Sequence, residues 1–227
     1  PLPGRLRLQG SEARLGCVAQ RLEAGPQGRW NLTLSDGSQL EAPRVIVALP
    51  ARRAAALLGP ELSERLNLDP DLARPEAAIV SVWLWSDEPL LPELMVAFGP
   101  QGPLPPAFHW GFSNFLDGQW RTCVVTSALD AQASHSAAET EAALAGFLAS
   151  RGRPWRWTRA RVVRERAATP IFAPGSPSRR AQATSLPGLA LAGDWTETGL
   201  PATIEGAVRS GRLAFECFSF DERFSHD

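Results

Sequence analysis

Apolar positions recur at strand spacing through the first fifth of the chain. Arg14 to Glu23 (RLGCVAQRLE) and Arg29 to Leu34 (RWNLTL) flank turn-forming residues at Ala24 to Gly28, and a tight turn follows at Ser35-Asp36-Gly37-Ser38. Arg44 to Leu49 (RVIVAL) is apolar without interruption, which suits a strand covered on both faces. Ala51 to Leu58 (ARRAAALL) predicts a short helix ended by Gly59-Pro60, with another turn or two over Glu61 to Leu66. From Ala78 to Trp85 (AIVSVWLW) the alternation returns, rich in β-branched and aromatic residues, and further strands are predicted at Glu93 to Phe98, Phe108 to Phe112 and Arg121 to Leu129. Ser134 to Ser150 reads as a helix: Ser136 and Glu139 form a capping box, and Ala143, Leu144, Phe147 and Leu148 make one apolar stripe.

The last pattern carries the chemistry. Leu189 to Gly211 reads LALAGDWTETGLPATIEGAVRSG, a short apolar strand running into Gly193 and Asp194, then a Thr/Glu/Gly loop, then a small-residue helix restarting behind Leu200 and Pro201. Free N–H groups and the positive dipole end of such a helix suit a phosphate or a flavin carbonyl, and Gly206 and Gly211 let neighbouring backbone come close. Asp194 at the strand's carboxyl end is placed to accept hydrogen bonds from sugar or ribityl hydroxyls. Spacing alone leaves plain packing as the alternative, because strand, acid and helix occur in this order in many α/β proteins.

Composition narrows the chemistry further. The 227 residues are 44% hydrophobic and 21% charged, ordinary globular material, and the net charge of −1 gives no steering toward nucleic acid. No apolar run reaches the roughly 18 residues of a membrane span and no signal peptide opens the chain, so the expected location is cytoplasmic. Cys17, Cys123 and Cys217 are too scattered for a disulfide framework, as are His109, His135 and His226 for a metal site. All 23 basic residues are arginine, which removes lysine chemistry from this stretch. Arg151 to Arg166 holds seven arginines and two tryptophans, and its alternation from Thr158 to Glu165 fits a strand with one solvated arginine face better than a nucleic-acid patch. Peripheral contact with a membrane stays open. The chain begins at Pro1 in mid-pattern, without Met, and is expected to be part of a longer protein. No hydrolase triad, metal run or paired carboxylate stands out, which fits chemistry carried by a cofactor.

The wording of GDWTETGLPATIEGAVRSG resembles the C-terminal flavin-binding motif of the FAD-dependent amine oxidase and phytoene desaturase superfamily, and within it the squalene-associated desaturases, the hydroxysqualene dehydroxylases. GCVAQRLE, the hairpin after it, the strand ending Ala48-Leu49-Pro50, and the run VVRERAATPIFAPGSPSRRAQATSLPGLALAGDW are similar to the same group, with Ala181 after Arg180 as a departure where proline is expected. The resemblance implies a mixed α/β and α+β chain, the C-terminal part of a two-domain flavoprotein with a Rossmann-like FAD domain of glutathione-reductase type and a mixed-sheet substrate domain. Residues 1–60 and 186–215 would belong to the FAD domain, 61–185 to the substrate domain, and 216–227 to a tail.

By the same resemblance FAD would be held by Val18, Ala48, Gly193, Asp194, Leu200, Pro201, Ala202 and Thr203, with Trp195 facing flavin or substrate. The implied partner is a lipophilic isoprenoid, and the implied reaction is reductive removal of the hydroxyl of hydroxysqualene: the allylic C–O bond ionises and reduced flavin delivers hydride to the carbocation. No catalytic acid is identified, and the oligomeric state is not readable. A carotenoid-type desaturase runs the hydride step in reverse. A flavin amine oxidase would carry a lysine near the flavin, and no lysine exists here. Outside enzymes, the alternative is a non-catalytic fragment lacking the G-x-G-x-x-G unit that binds the pyrophosphate.

Overall fold

The computed structural model describes residues 11–72, 74–98, 109–130, 136–150, 156–172, 174–176 and 178–221. The first elements are β1 (Ala19–Ala24), β2 (Trp30–Leu34), β3 (Gln39–Ala42), β4 (Val45–Ala48), α1 (Ala51–Arg65) and α2 (Asp69–Leu72). There follow β5 (Glu76–Ser86), β6 (Met95–Ala97), β7 (Trp110–Leu116), β8 (Gln119–Asp130), α3 (Ala137–Ala149), β9 (Arg159–Pro170), β10 (Leu189–Ala192) and α4 (Ile204–Asp221). The chain is mixed α/β and divides into two units, Pro1–Arg74 with Ala173–Asp227, and Pro75–Phe172.

The first unit contains two sheets. β1, β2 and β3 form an antiparallel meander in that order, while β4 pairs in parallel with β10. The parallel pair is covered on both faces, as its unbroken apolar sequence requires. Ala190 and Ala192 meet Ala214 of α4 together with Ile46 and Phe218, while Val47, Leu189 and Leu191 join a core with Leu22, Trp30, Leu57, Leu62 and Trp195. Helix α1 breaks where Gly59-Pro60 stands, with Gly59 at φ 73°, and then resumes to Arg65. Its second half buries Leu62, and the following Leu66 and Leu68 lie in the same core.

These two compact units divide the chain at other positions than the family order does. Residues 61–74 belong with the first unit because their leucines fill its core, and the return segment joins it before residue 186 because Arg180 donates to the carbonyls of Leu66 and Asn67. Strand β3 was not anticipated: QLEA is short, and its burial pattern shows no buried side. Residues 216–221 continue helix α4 rather than forming a tail.

The second unit is a five-stranded antiparallel sheet in the order β6-β7-β8-β5-β9. Alternation along β5 sends Val82 and Leu84 to one face, where Leu144 and Leu148 of α3 pack with Val124 and Phe98. Helix α3 starts at the expected capping box, with Ser136 Oγ accepting from Glu139 N–H at 3.1 Å and the Glu139 carboxylate accepting from Ser136 N–H at 2.7 Å. The opposite face carries Trp83, Trp110, Phe112 and Met95, which are 37%, 43%, 42% and 60% exposed. No helix among the described residues is long and apolar enough to cross a membrane.

Candidate functional site

The parallel register of β4 and β10 runs from Leu189 opposite Val45 to Ala192 opposite Ala48, so both strands end together. Ala48-Leu49-Pro50 and Gly193-Asp194 therefore leave the sheet side by side, at the carboxyl edge where open α/β sheets hold ligands. Leu49 O accepts the Trp195 indole N–H at 2.9 Å, which ties the two strand ends to one another. Trp195 is 1% exposed and belongs to the core of the first unit. Its side chain packs in that core with its one polar atom satisfied.

Gly193 has to be glycine for contact reasons. A Cβ there would lie 2.4 Å from Trp195 Nε1 and 3.3 Å from Leu49 O, at a φ of 153°. Its N–H donates to Ser210 Oγ at 2.8 Å, and Ser210 in turn donates to Ala207 O, so helix α4 is fastened to the end of β10.

Asp194 is half-buried, and loss of solvent pushes its carboxyl above the ordinary aspartate range; its own N–H, the charge of Arg179 and the Trp195 N–H act in the opposite direction. Partial burial thus raises the cost of the carboxylate's charge beside the strand ends, an arrangement that rewards a ligand bringing hydroxyl hydrogens.

The loop behind Asp194 is held at many points. Thr196 Oγ1 donates to Gly193 O at 2.8 Å, and Gln182 Nε2 donates to Thr196 Oγ1 and Glu197 O at 3.1 and 2.6 Å. Gly199 N–H reaches Glu197 Oε1 at 2.7 Å, and the Arg179 guanidinium donates to Leu200 O. Thr203 caps α4, its Oγ1 accepting from Gly206 N–H at 3.2 Å while its carbonyl accepts from Ala207 N–H. The first-turn N–H groups of Ile204 and Glu205 keep no acceptor among the described residues. A Cβ at Gly206 would stand 2.7 Å from Pro201 O, so glycine lets the Pro201 loop lie against the first turn.

The structure therefore places Ala48 at the end of β4, and Gly193, Asp194, Leu200, Pro201, Ala202 and Thr203 on the loop and helix start that follow its partner β10. Val18 is elsewhere, just before β1 in the meander. Its N–H donates to Ser35 Oγ at 3.0 Å and its carbonyl accepts from Ser35 N–H at 2.8 Å. Ser35 thus ties down the backbone of Val18, whose side chain is 64% exposed. Arg179, Gln182, Thr196 and Ser210 organise the site without having been singled out. Among them only Ser210, three residues beyond Ala207 on an apolar helix face, leaves a trace in sequence: a small polar residue with nothing local to bond.

The donor set fits a dinucleotide flavin: a solvent-poor carboxylate for ribityl or ribose hydroxyls, two open N–H groups at a helix start for anionic or carbonyl oxygen, and two glycines without which backbone could not approach. Among the described residues no three His, Cys, Asp or Glu side chains gather into a metal site.

Comparison with known proteins agrees with this chemistry. The sequence matches the profile of flavin containing amine oxidoreductases over residues 5–216. It is 52% identical over 62 residues to a hydroxysqualene dehydroxylase of Rhodopseudomonas palustris and 46% identical over 71 residues to one of Sinorhizobium fredii. These stretches cover 27% and 31% of this chain, and 14% and 16% of the two relatives. The fold superimposes on a provisionally assigned protoporphyrinogen oxidase from an Exiguobacterium species with a TM-score of 0.69 at 15% identity, covering 93% of this chain and 48% of the other, so the chain spans about half the length of that structure. Since the profile takes in nearly the whole sequence, the chain belongs to the flavin containing amine oxidoreductase family, whose cofactor is FAD.

Proposed function

We propose that the chain is the C-terminal portion of an FAD-dependent oxidoreductase that removes the hydroxyl of hydroxysqualene to give squalene, as a step in making hopanoid lipids. The observation that carries this reading is the identity of 52% over 62 residues to a protein of that name. In this reading the first unit is part of a Rossmann-like FAD domain and the second binds substrate. The parallel pair β4 and β10, covered on both faces, is then a small part of a larger parallel sheet.

A bound flavin supplies the two-electron step, which side chains cannot perform. The residues of the chain do the rest. Asp194 would accept hydrogen bonds from hydroxyls of the cofactor, and the N–H groups of Ile204 and Glu205 would be donors for its oxygens. Gly193 and Gly206 keep that approach open, while Arg179, Gln182 and Thr196 hold the loop still, so that binding orders little additional chain. The apolar face of the second sheet, with Trp83, Trp110 and Phe112 exposed on it, would give a hydrocarbon an apolar bed and aromatic rings for a developing cation.

The test is product formation. Flavin-loaded protein, reduced with dithionite in the absence of oxygen and mixed with hydroxysqualene, is expected to yield squalene by gas chromatography in amounts matching the flavin. Recovery of unchanged alcohol would refute the dehydroxylase reading. Conversion of a saturated isoprenoid to a more conjugated one by the oxidised protein would replace it with the desaturase.

A further inference from the structure

The open face of the second unit has a polarity running across its strands. One row of directly opposed residues crosses all five strands: Met95 opposite Phe112, Phe112 opposite Cys123, Cys123 opposite Trp83, and Trp83 opposite Arg161. It begins on a thioether and ends on a guanidinium. A flanking row adds Trp110, Val125, Ser81 and Val163, so the apolar surface is two rows deep. On the other side, Asn114, Arg121, Trp85 and Arg159 follow, with Arg159 stacked 4.6 Å from the Trp85 ring centroid. Arg121 is paired with Asp117, but no carboxylate pairs with Arg159 or Arg161 among the described residues. At about 4.8 Å between strands, the row extends roughly 19 Å from Met95 to Arg161.

An apolar track of that length with two unpaired guanidiniums at one end is complementary to a long hydrocarbon carrying an anion at one terminus. Stacking on tryptophan holds the Arg159 fork flat and pre-ordered, which favours bidentate contact with phosphate oxygens over a neutral hydroxyl. Resting on the reading of the chain as an isoprenoid oxidoreductase, we infer that the site in the second unit takes an isoprenoid diphosphate, lying across the sheet with its tail toward Met95 and its head on Arg159 and Arg161. The neutral alcohol occupies the same track without the arginine contacts. Cys123, 7% exposed at the middle of the row with its thiol pushed up to about 11 by burial, is an uncharged part of the floor.

Equilibrium binding of farnesyl diphosphate, farnesol and inorganic pyrophosphate to the full chain tests the inference, with no need for flavin turnover. Farnesyl diphosphate is expected to bind at least about tenfold more tightly than either of the others, the size of one to two charge-assisted hydrogen bonds. In the doubly substituted R159Q/R161Q protein that advantage should vanish while farnesol affinity stays unchanged, which also shows that the variant is folded. Phe112→Ser, on the tail side, should weaken farnesyl diphosphate and farnesol alike and leave pyrophosphate unaffected. Equal binding of diphosphate and alcohol by the unsubstituted chain would overturn the inference, as would pyrophosphate binding as tightly as its farnesyl ester. Binding to phosphatidylglycerol-containing vesicles but to no monomeric diphosphate would overturn it in favour of a membrane-facing surface. Because these outcomes do not involve the reduced flavin, they fail or succeed independently of the dehydroxylase test.

Discussion

Burial of the Asp194 carboxylate has a cost for the fold that depends on pH. Burial raises the carboxyl above the ordinary aspartate range, so the folded chain holds the proton more tightly than the unfolded chain. Below both pKa values the group is neutral in either state and costs nothing. As pH rises past the unfolded value the cost sets in, and it is complete above the folded value. Asp194→Asn is therefore expected to raise the thermal midpoint of the flavin-free chain at pH 7 and leave it unchanged near pH 2. In the flavin-loaded protein the same change should weaken FAD retention by about 10- to 100-fold, since hydrogen bonds to a charged group contribute about 1.5–3 kcal/mol. Flavin content after gel filtration and melting curves at two pH values check both halves. Gly193→Ala belongs to the same scale: the added methyl meets the Trp195 indole at 2.4 Å, and an overpacked contact of this kind costs about 1–3 kcal/mol in denaturant unfolding. The place of Gly193 and Asp194 at the end of β10 was legible in the sequence, because an apolar run that stops at Gly-Asp marks the end of its own strand. The burial of Trp195 was not: a large aromatic after an acid reads equally as wall or as core, and its indole N–H finds its partner in the carbonyl of Leu49, 146 positions away.

At the scale of elements, β10, its loop and α4 act as one clip. The Ser210 hydroxyl holds the Gly193 N–H, Thr203 caps the helix, and Gln182 spans the loop. Ser210→Ala is expected to cost about 1–3 kcal/mol by leaving the Gly193 N–H unpaired, and Thr203→Ala about 1 kcal/mol as a lost cap, with Thr203→Ser restoring most of it. Chemical denaturation of the three proteins checks these values. A cap at Thr203 without effect would mean that the first turn is held by tertiary contacts instead. Strand β8 makes a separate prediction: with Cys123 buried and its thiol raised to about 11, iodoacetamide at pH 8 should label the half-buried Cys17 and Cys217 well before Cys123, as peptide mapping would show. The long strands β5, β8 and β9 and the capped helix α3 were evident from periodicity and turn chemistry. Strand β3 escaped because QLEA gains its place by pairing with β2, a partner that four mostly exposed residues do not announce.

At the scale of the whole molecule, the chain is two units with separate cores, and the sequence placed their boundaries by family order rather than by packing. A Gly-Pro stop reads as an end in sequence, whereas α1 turns at Gly59 and carries Leu62 back into the core of the first unit. Hydrogen exchange should reflect this division: the centre of β5, paired on both sides by β8 and β9, is expected to exchange slowest in the second unit, and the three-residue edge strand β6 fastest. The central claim is that a flavin held at the end of β4 and β10 gives its electrons to an isoprenoid alcohol. It is tested most directly by the visible absorption of the dithionite-reduced, flavin-loaded protein as hydroxysqualene is added without oxygen. Return of the oxidised flavin bands, in step with the alcohol added, is the predicted result. A flavin that stays bleached in the presence of excess alcohol would contradict it.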